Sequence, residues 1–138
     1  MHGPALRRAL PAVPTSVTVL RAQVTEFVSA AGVGEPHLAA VQLAVSEAVT
    51  NAVVHAYAKS EQPGEVRVET FFEGATVHVI VSDDGGGMLP RRDSPGLGVG
   101  LPLIANSADT LQIGVSKRGG TELRMTFRVP TMVASPHA

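Results

Sequence analysis

The sequence predicts an α+β fold: a two-layer sandwich with a mixed, mainly antiparallel sheet and its helices on one face. Three observations carry that prediction. Apolar residues recur at helical spacing through two long segments of the N-terminal half. Period-two alternation then takes over in two stretches joined by Glu73-Gly74. Two more alternating stretches flank the turn Lys117-Arg-Gly-Gly120 near the C-terminus. Hairpin-linked strands with helices grouped apart argue against a doubly wound parallel sheet. The 138 residues suit one domain, with a core over about 5–130. The tail PTMVASPHA has two prolines and no period, so 131–138 is expected to fray.

Taken in order, Ala5 to Val13 reads as a short strand bounded by prolines. From about Thr15 to Ala31, Val17, Leu20, Val24, Phe27 and Val28 form a helical stripe, which Gly32-Val-Gly34 stops. A second helix begins near Glu35-Pro36 and runs to about Ala58. Its stripe is Leu38, Val41, Val45, Ala48, Val49, Ala52 and Ala56. Strands are expected at Glu65–Phe72 and Thr76–Val81. A glycine-rich loop spans Asp83 to Gly100, followed by a short helix from about Leu101 to Ala108 with Pro102 in its first turn. Thr110–Ser116 and Thr121–Val129 close the chain as a hairpin.

Bulk properties exclude several classes. A net charge of −1 gives no reason to expect a nucleic-acid or membrane surface as the main partner. With no cysteine there are neither disulfides nor thiolate metal sites, which suits a cytoplasmic protein. The N-terminus lacks the apolar core of a signal peptide, and no stretch approaches the roughly 18 apolar residues of a membrane span.

Within the second helix, EAVTNAVVHAY places Glu47, Asn51 and His55 at four-residue steps. Each step advances a helix by about 400°, so the residues drift only about 40° per step and share one side. Glu47 lies opposite the apolar stripe, and Asn51 and His55 sit progressively nearer its edge. Such a row is either solvated surface or one wall of a site.

The familiar phosphate loops are absent. No GxxxxGK[ST] occurs. Gly96-Leu-Gly98-Val-Gly100 has the spacing GxGxG, and no strand leads directly into it, so a dinucleotide fold fails too. The kinase HRD and DFG motifs are also missing. Gly98 and Gly100 nevertheless precede a helix, where free N–H groups and the dipole favour an anion. Asp83-Asp-Gly85-Gly-Gly87 follows a strand, where an aspartate could accept from an amino group held against the sheet.

Together these stretches resemble the motifs of the GHKL ATPases, the gyrase, heat-shock chaperone, histidine-kinase and MutL type. EAVTNAVVHAY resembles their N-box, Asp83-x-Gly85-x-Gly87 the adenine-binding glycine box, and Gly96-Leu-Gly98-Val-Gly100-Leu-Pro-Leu-Ile the second glycine box. Gly119-Gly-Thr121-Glu-Leu-Arg-Met-Thr-Phe127 resembles the last motif. The length, and a helix directly before the N-box helix, are similar to the bacterial anti-sigma-factor serine kinases. The resemblance covers about residues 5–130.

It implies ATP and Mg2+ as cofactors, with Glu47 as general base and Asn51 as magnesium ligand. Asp83 would accept from the adenine amino group, Gly85 and Gly87 would let the backbone approach the base, and Thr121 would make the second adenine contact. Gly98, Val99, Gly100 and Leu101 would face the phosphates. His55 matches a position that often touches phosphate, and a supporting role beside it fits equally. Arg21 matches a partner-contacting arginine, and an ordinary solvated arginine fits as well. Only Met88 to Pro95 separates the two glycine boxes, a shorter lid than many relatives have, which implies weaker or faster nucleotide exchange and would let Arg91 or Arg92 reach a phosphate.

The expected function is an ATP-dependent serine/threonine kinase that sequesters a sigma factor and phosphorylates an antagonist protein. A homodimer is expected, with no direct nucleic-acid contact and no membrane. A non-catalytic, ATP-dependent binding switch is the alternative, and a detached histidine-kinase catalytic domain a weaker third.

Overall fold

The computed structural model describes residues 3–57, 64–84, 103–117 and 119–130, with side chains to residue 54 in the second helix. Among the described residues five strands form one sheet: β1 (Ala5–Pro11), β2 (Glu65–Glu73), β3 (Thr76–Asp83), β4 (Thr110–Val115) and β5 (Thr121–Arg128). Two helices, α1 (Pro14–Ala30) and α2 (His37–Tyr57), separate β1 from β2. The strand order is β1-β2-β3-β5-β4, and all four pairings are antiparallel. β5 therefore lies beside β3 and β4 forms the edge. A helical turn over 103–107 leads into β4 and drives Ile104 fully into the core.

Local chemistry sets the boundaries. Pro14 opens α1, where the missing N–H costs nothing. The Ser16 hydroxyl donates to the Pro11 carbonyl at 2.7 Å, tying the helix start to the end of β1. At the other end Gly32 takes φ of 100°, a left-handed conformation that ends the helix. Its N–H donates to Ser29 at 2.9 Å, and Val33 N–H reaches back to the Val28 carbonyl at 3.4 Å. Val28 and Val33 are both buried, supplying the apolar contact that accompanies this kind of stop.

α2 packs on β2, β3 and β5, while α1 packs beside it and against β1. Contrary to the expectation that no stretch approaches a membrane span, His37–Val54 is apolar enough for one by length and composition alone. Here that character serves the core. Val41, Ala44, Val45, Ala48, Val49 and Ala52 are fully buried between α1 and the sheet. Burying each valine contributes about 1.5–3 kcal/mol.

Burial alternates residue by residue through most of β2, β3 and β5. Val66 and Val68, then Val77, Val79 and Val81, then Leu123, Met125 and Phe127 face the helices. β3 runs two residues beyond the expected Val81, because Ser82 pairs with Arg67 and Asp83 with Val66. That extension carries Asp83 onto the end of the sheet.

Candidate active site

The inward row of β3 is Val77, Val79, Val81 and then Asp83; the inward row of β5 begins at Thr121 before Leu123. Val81 pairs with Leu123 and Ser82 with Glu122. One step further along the ladder, Asp83 and Thr121 come side by side on the buried face. Asp83 is 1% exposed and Thr121 fully buried. A carboxylate where the pattern calls for an aliphatic residue is costly unless polar groups meet it. The Thr121 N–H provides one such group, donating to Asp83 Oδ1 at 3.4 Å.

The turn between β4 and β5 closes over the same aspartate. Ser116 donates its hydroxyl to the Asp83 carbonyl oxygen at 3.1 Å and accepts the Gly120 N–H at 3.0 Å. Gly119 takes φ of 91° and donates its N–H to the Ser116 carbonyl at 3.0 Å. Gly120 has a different reason to be glycine. A Cβ there would stand 1.9 Å from the Asp83 carbonyl oxygen and 2.6 Å from its Oδ1. Only a hydrogen lets the turn approach Asp83 this closely.

Gly120→Ala is therefore expected to force backbone from backbone, which no rotamer change relieves. The cost is about 1–3 kcal/mol or more, read as a lower urea midpoint with unchanged slope. An unchanged midpoint would contradict the close approach.

The sequence gives neither Ser116 nor Gly120 a role of its own, although Gly120 lies within the last family motif. Gly120 had a legible signal: Gly119 alone supplies the positive φ, so a second adjacent glycine calls for another reason. Ser116 had none, since a serine ending a strand is ordinary.

The remaining candidate residues lie on α2. Glu47 is half-buried, and Asn51, one turn on, is 6% exposed. The Asn51 Nδ2 is buried with no hydrogen-bond partner among the described residues. A buried amide left open in this way suits a polar ligand that completes it. α2 packs on β3 and β5, the strands that carry Asp83 and Thr121. His55 lies in the last turn of α2, with its side chain outside the described residues. Gly85, Gly87, Arg91, Arg92, Gly98, Val99, Gly100 and Leu101 also lie outside them. Arg21 is exposed on α1 and borders a surface groove with Ala39, Gln42, Leu43 and Ser46 of α2.

Among the described residues no group of three His, Asp or Glu side chains gathers as a metal cage. Magnesium does not need one: it commonly takes one or two protein oxygens, keeps several waters and shares substrate phosphates. Asn51 beside Glu47 fits that mode, and the buried Asp83 with its tight glycine turn fits a flat base lying against the sheet.

Comparison with known proteins shows the family. The profile of the histidine kinase-like ATPase domain matches residues 10–127, and the chain belongs to that family. It is 36% identical over 116 residues to an anti-sigma F factor of Clostridium kluyveri, covering 76% of this chain and 80% of that protein. It is 40% identical over 76 residues to the serine-protein kinase RsbW of Listeria monocytogenes, covering 55% of this chain and 48% of that one. A crystal structure of the RsbU and RsbW domains of Rv1364c from Mycobacterium tuberculosis matches with a TM-score of 0.72 and 27% identity. That match covers 92% of this chain, which spans a third of the solved one. An ATPase family implies an ATP site.

Proposed function

We propose that this chain is an ATP-dependent serine/threonine protein kinase of the anti-sigma-factor type, which sequesters a sigma factor and phosphorylates an antagonist protein. The observation that carries the nucleotide reading is the buried pair Asp83 and Thr121, enclosed by a turn with no room for a Cβ, on strands packed against α2. The relatives named anti-sigma F factor and serine-protein kinase support the kinase reading.

Asp83 accepts from the adenine amino group, which rejects guanine because guanine carries an oxygen there. Thr121 holds the aspartate and faces the same base. Glu47 orients and deprotonates the attacking hydroxyl, while Asn51 offers its amide oxygen to the metal. Magnesium, when bound, offsets the phosphate charge. Gly85 and Gly87 at the base, with Gly98, Val99, Gly100, Leu101 and His55 at the phosphates, complete the nucleotide contacts. Arg21 contacts the protein partner from the α1–α2 groove. The protein acts in the cytoplasm as a homodimer, with no direct nucleic-acid or membrane contact.

The decisive experiment titrates the purified chain with ATP and GTP in magnesium by calorimetry, then follows γ-phosphate transfer to a serine of the cognate antagonist. Binding of ATP over GTP with transfer supports the proposal. Binding without transfer moves the protein to the non-catalytic switch, and absence of heat or of a melting shift with ATP ends the nucleotide reading.

A further inference from the structure

The two consecutive aspartates at the end of β3 leave on opposite sides of the sheet. Asp83 turns inward under the Ser116 hydroxyl. Asp84 meets Arg67 of β2, whose Nη2 lies 2.8 Å from Asp84 Oδ1. Arg67 stands opposite Ser82 in the ladder, one residue from the Val66–Asp83 pair. Its Nη1 also lies 3.4 Å from Glu65 Oε1. One guanidinium thus links the first residues of β2 to the last described residue after β3.

This pair differs from the other ion pairs on the open face. Arg7 meets Glu69 at 3.1 Å with a side chain 74% exposed. A pair so open to water contributes little. The Arg67 and Asp84 side chains are only 24% and 29% exposed. A Cβ on Gly64 would lie 3.7 Å from the Asp84 Cβ, so backbone also supports the aspartate from behind. Asp84 raises the Arg67 guanidinium above its ordinary value, burial opposes this, and Glu65 adds to the rise.

We propose that Arg67 is a positioning residue for the nucleotide pocket: by tethering Asp84 it fixes the chain where it leaves β3, and so holds Asp83 in the orientation that meets the base. The inference rests on the adenine role of Asp83 given above. The physical reason is leverage. The Asp83 main chain is held by Ser116 at its own carbonyl and by its ladder pairing with Val66, while the chain just beyond it is held at Asp84. Release of Asp84 lets the peptide between the two aspartates rotate, and a hydrogen bond to a base weakens when its acceptor shifts by a fraction of an ångström.

The test uses the full chain with Arg67→Met, Asp84→Asn, the double variant and Arg67→Lys. Each is titrated with ATP–magnesium and, separately, with inorganic triphosphate–magnesium. For a partly exposed pair, each single variant is expected to weaken ATP by about three- to fivefold. The double variant should be no weaker than the worse single, because both break one tether. Arg67→Lys keeps the ion pair and should retain most of the affinity. Triphosphate binding should not change, since it does not use the base pocket; a general loss of fold would weaken both probes together.

Unchanged ATP affinity in Arg67→Met, additive losses in the double variant, or equal losses for both probes would each overturn the proposal. If Arg67→Met does not fold, Asp84→Asn alone carries the comparison of the two probes. The Asp83→Asn variant separates the two layers of inference. Should it lose ATP while Arg67→Met does not, only the positioning role falls; should it keep ATP, the adenine assignment falls first.

Discussion

Replacing Glu47 with alanine is expected to lower phosphotransfer by about 10²–10⁴-fold, the range a positioned general base contributes, while ATP still binds. Glu47 is half-buried on α2, one turn from the buried Asn51. Alanine is the strongest helix former, so α2 keeps its shape and continues to pack on the sheet. The base pocket lies on other elements, at Asp83 and Thr121. Binding and chemistry should therefore separate, with the calorimetric Kd for ATP nearly unchanged and the rate of γ-phosphate transfer collapsed. Equal loss of both would make Glu47 a structural or nucleotide-holding residue. Undiminished transfer would remove it from the chemistry altogether.

Asp83→Asn should strike the opposite quantity. The change is nearly isosteric, and the amide oxygen can still accept the Thr121 N–H that now reaches Oδ1 at 3.4 Å. What disappears is the negative charge and one acceptor oxygen. A hydrogen bond to a charged group contributes about 1.5–3 kcal/mol, so ATP should bind about ten- to hundredfold more weakly. The preference for ATP over GTP should shrink with it. Stability should hold or rise, because a carboxylate at 1% exposure is replaced by a neutral group. An ATP affinity equal to wild type would contradict the pocket.

The elements were largely legible because their signals are local. The stripe from Leu38 through Ala52 predicted α2, and Val41, Val45, Ala48, Val49 and Ala52 are all fully buried. Gly32 predicted the end of α1, and its φ of 100° is the reason. Helix periodicity also placed Asn51 nearer the core than Glu47, as burial bears out. The extent of β3 was less legible. Ser82-Asp83-Asp84 reads as the start of a polar turn, and pairing with Val66, Arg67 and Glu122 on the neighbouring strands keeps Ser82 and Asp83 in the sheet.

What the sequence by itself determined is the kind of each element and which of its faces turns inward. A period of two or 3.6 residues is a property of one short stretch of backbone, and its apolar residues must be buried wherever that stretch lies. Tertiary structure alone decided that β5 rather than β4 lies against β3, and so brought Thr121 to Asp83 across 38 residues of chain. It also decided that Gly120 comes too close to Asp83 for any side chain, that Ser116 closes over it, and that Arg67 reaches Asp84 from a neighbouring strand. Those contacts depend on which strand edges meet in space, a choice made by the whole core, and no local period encodes it.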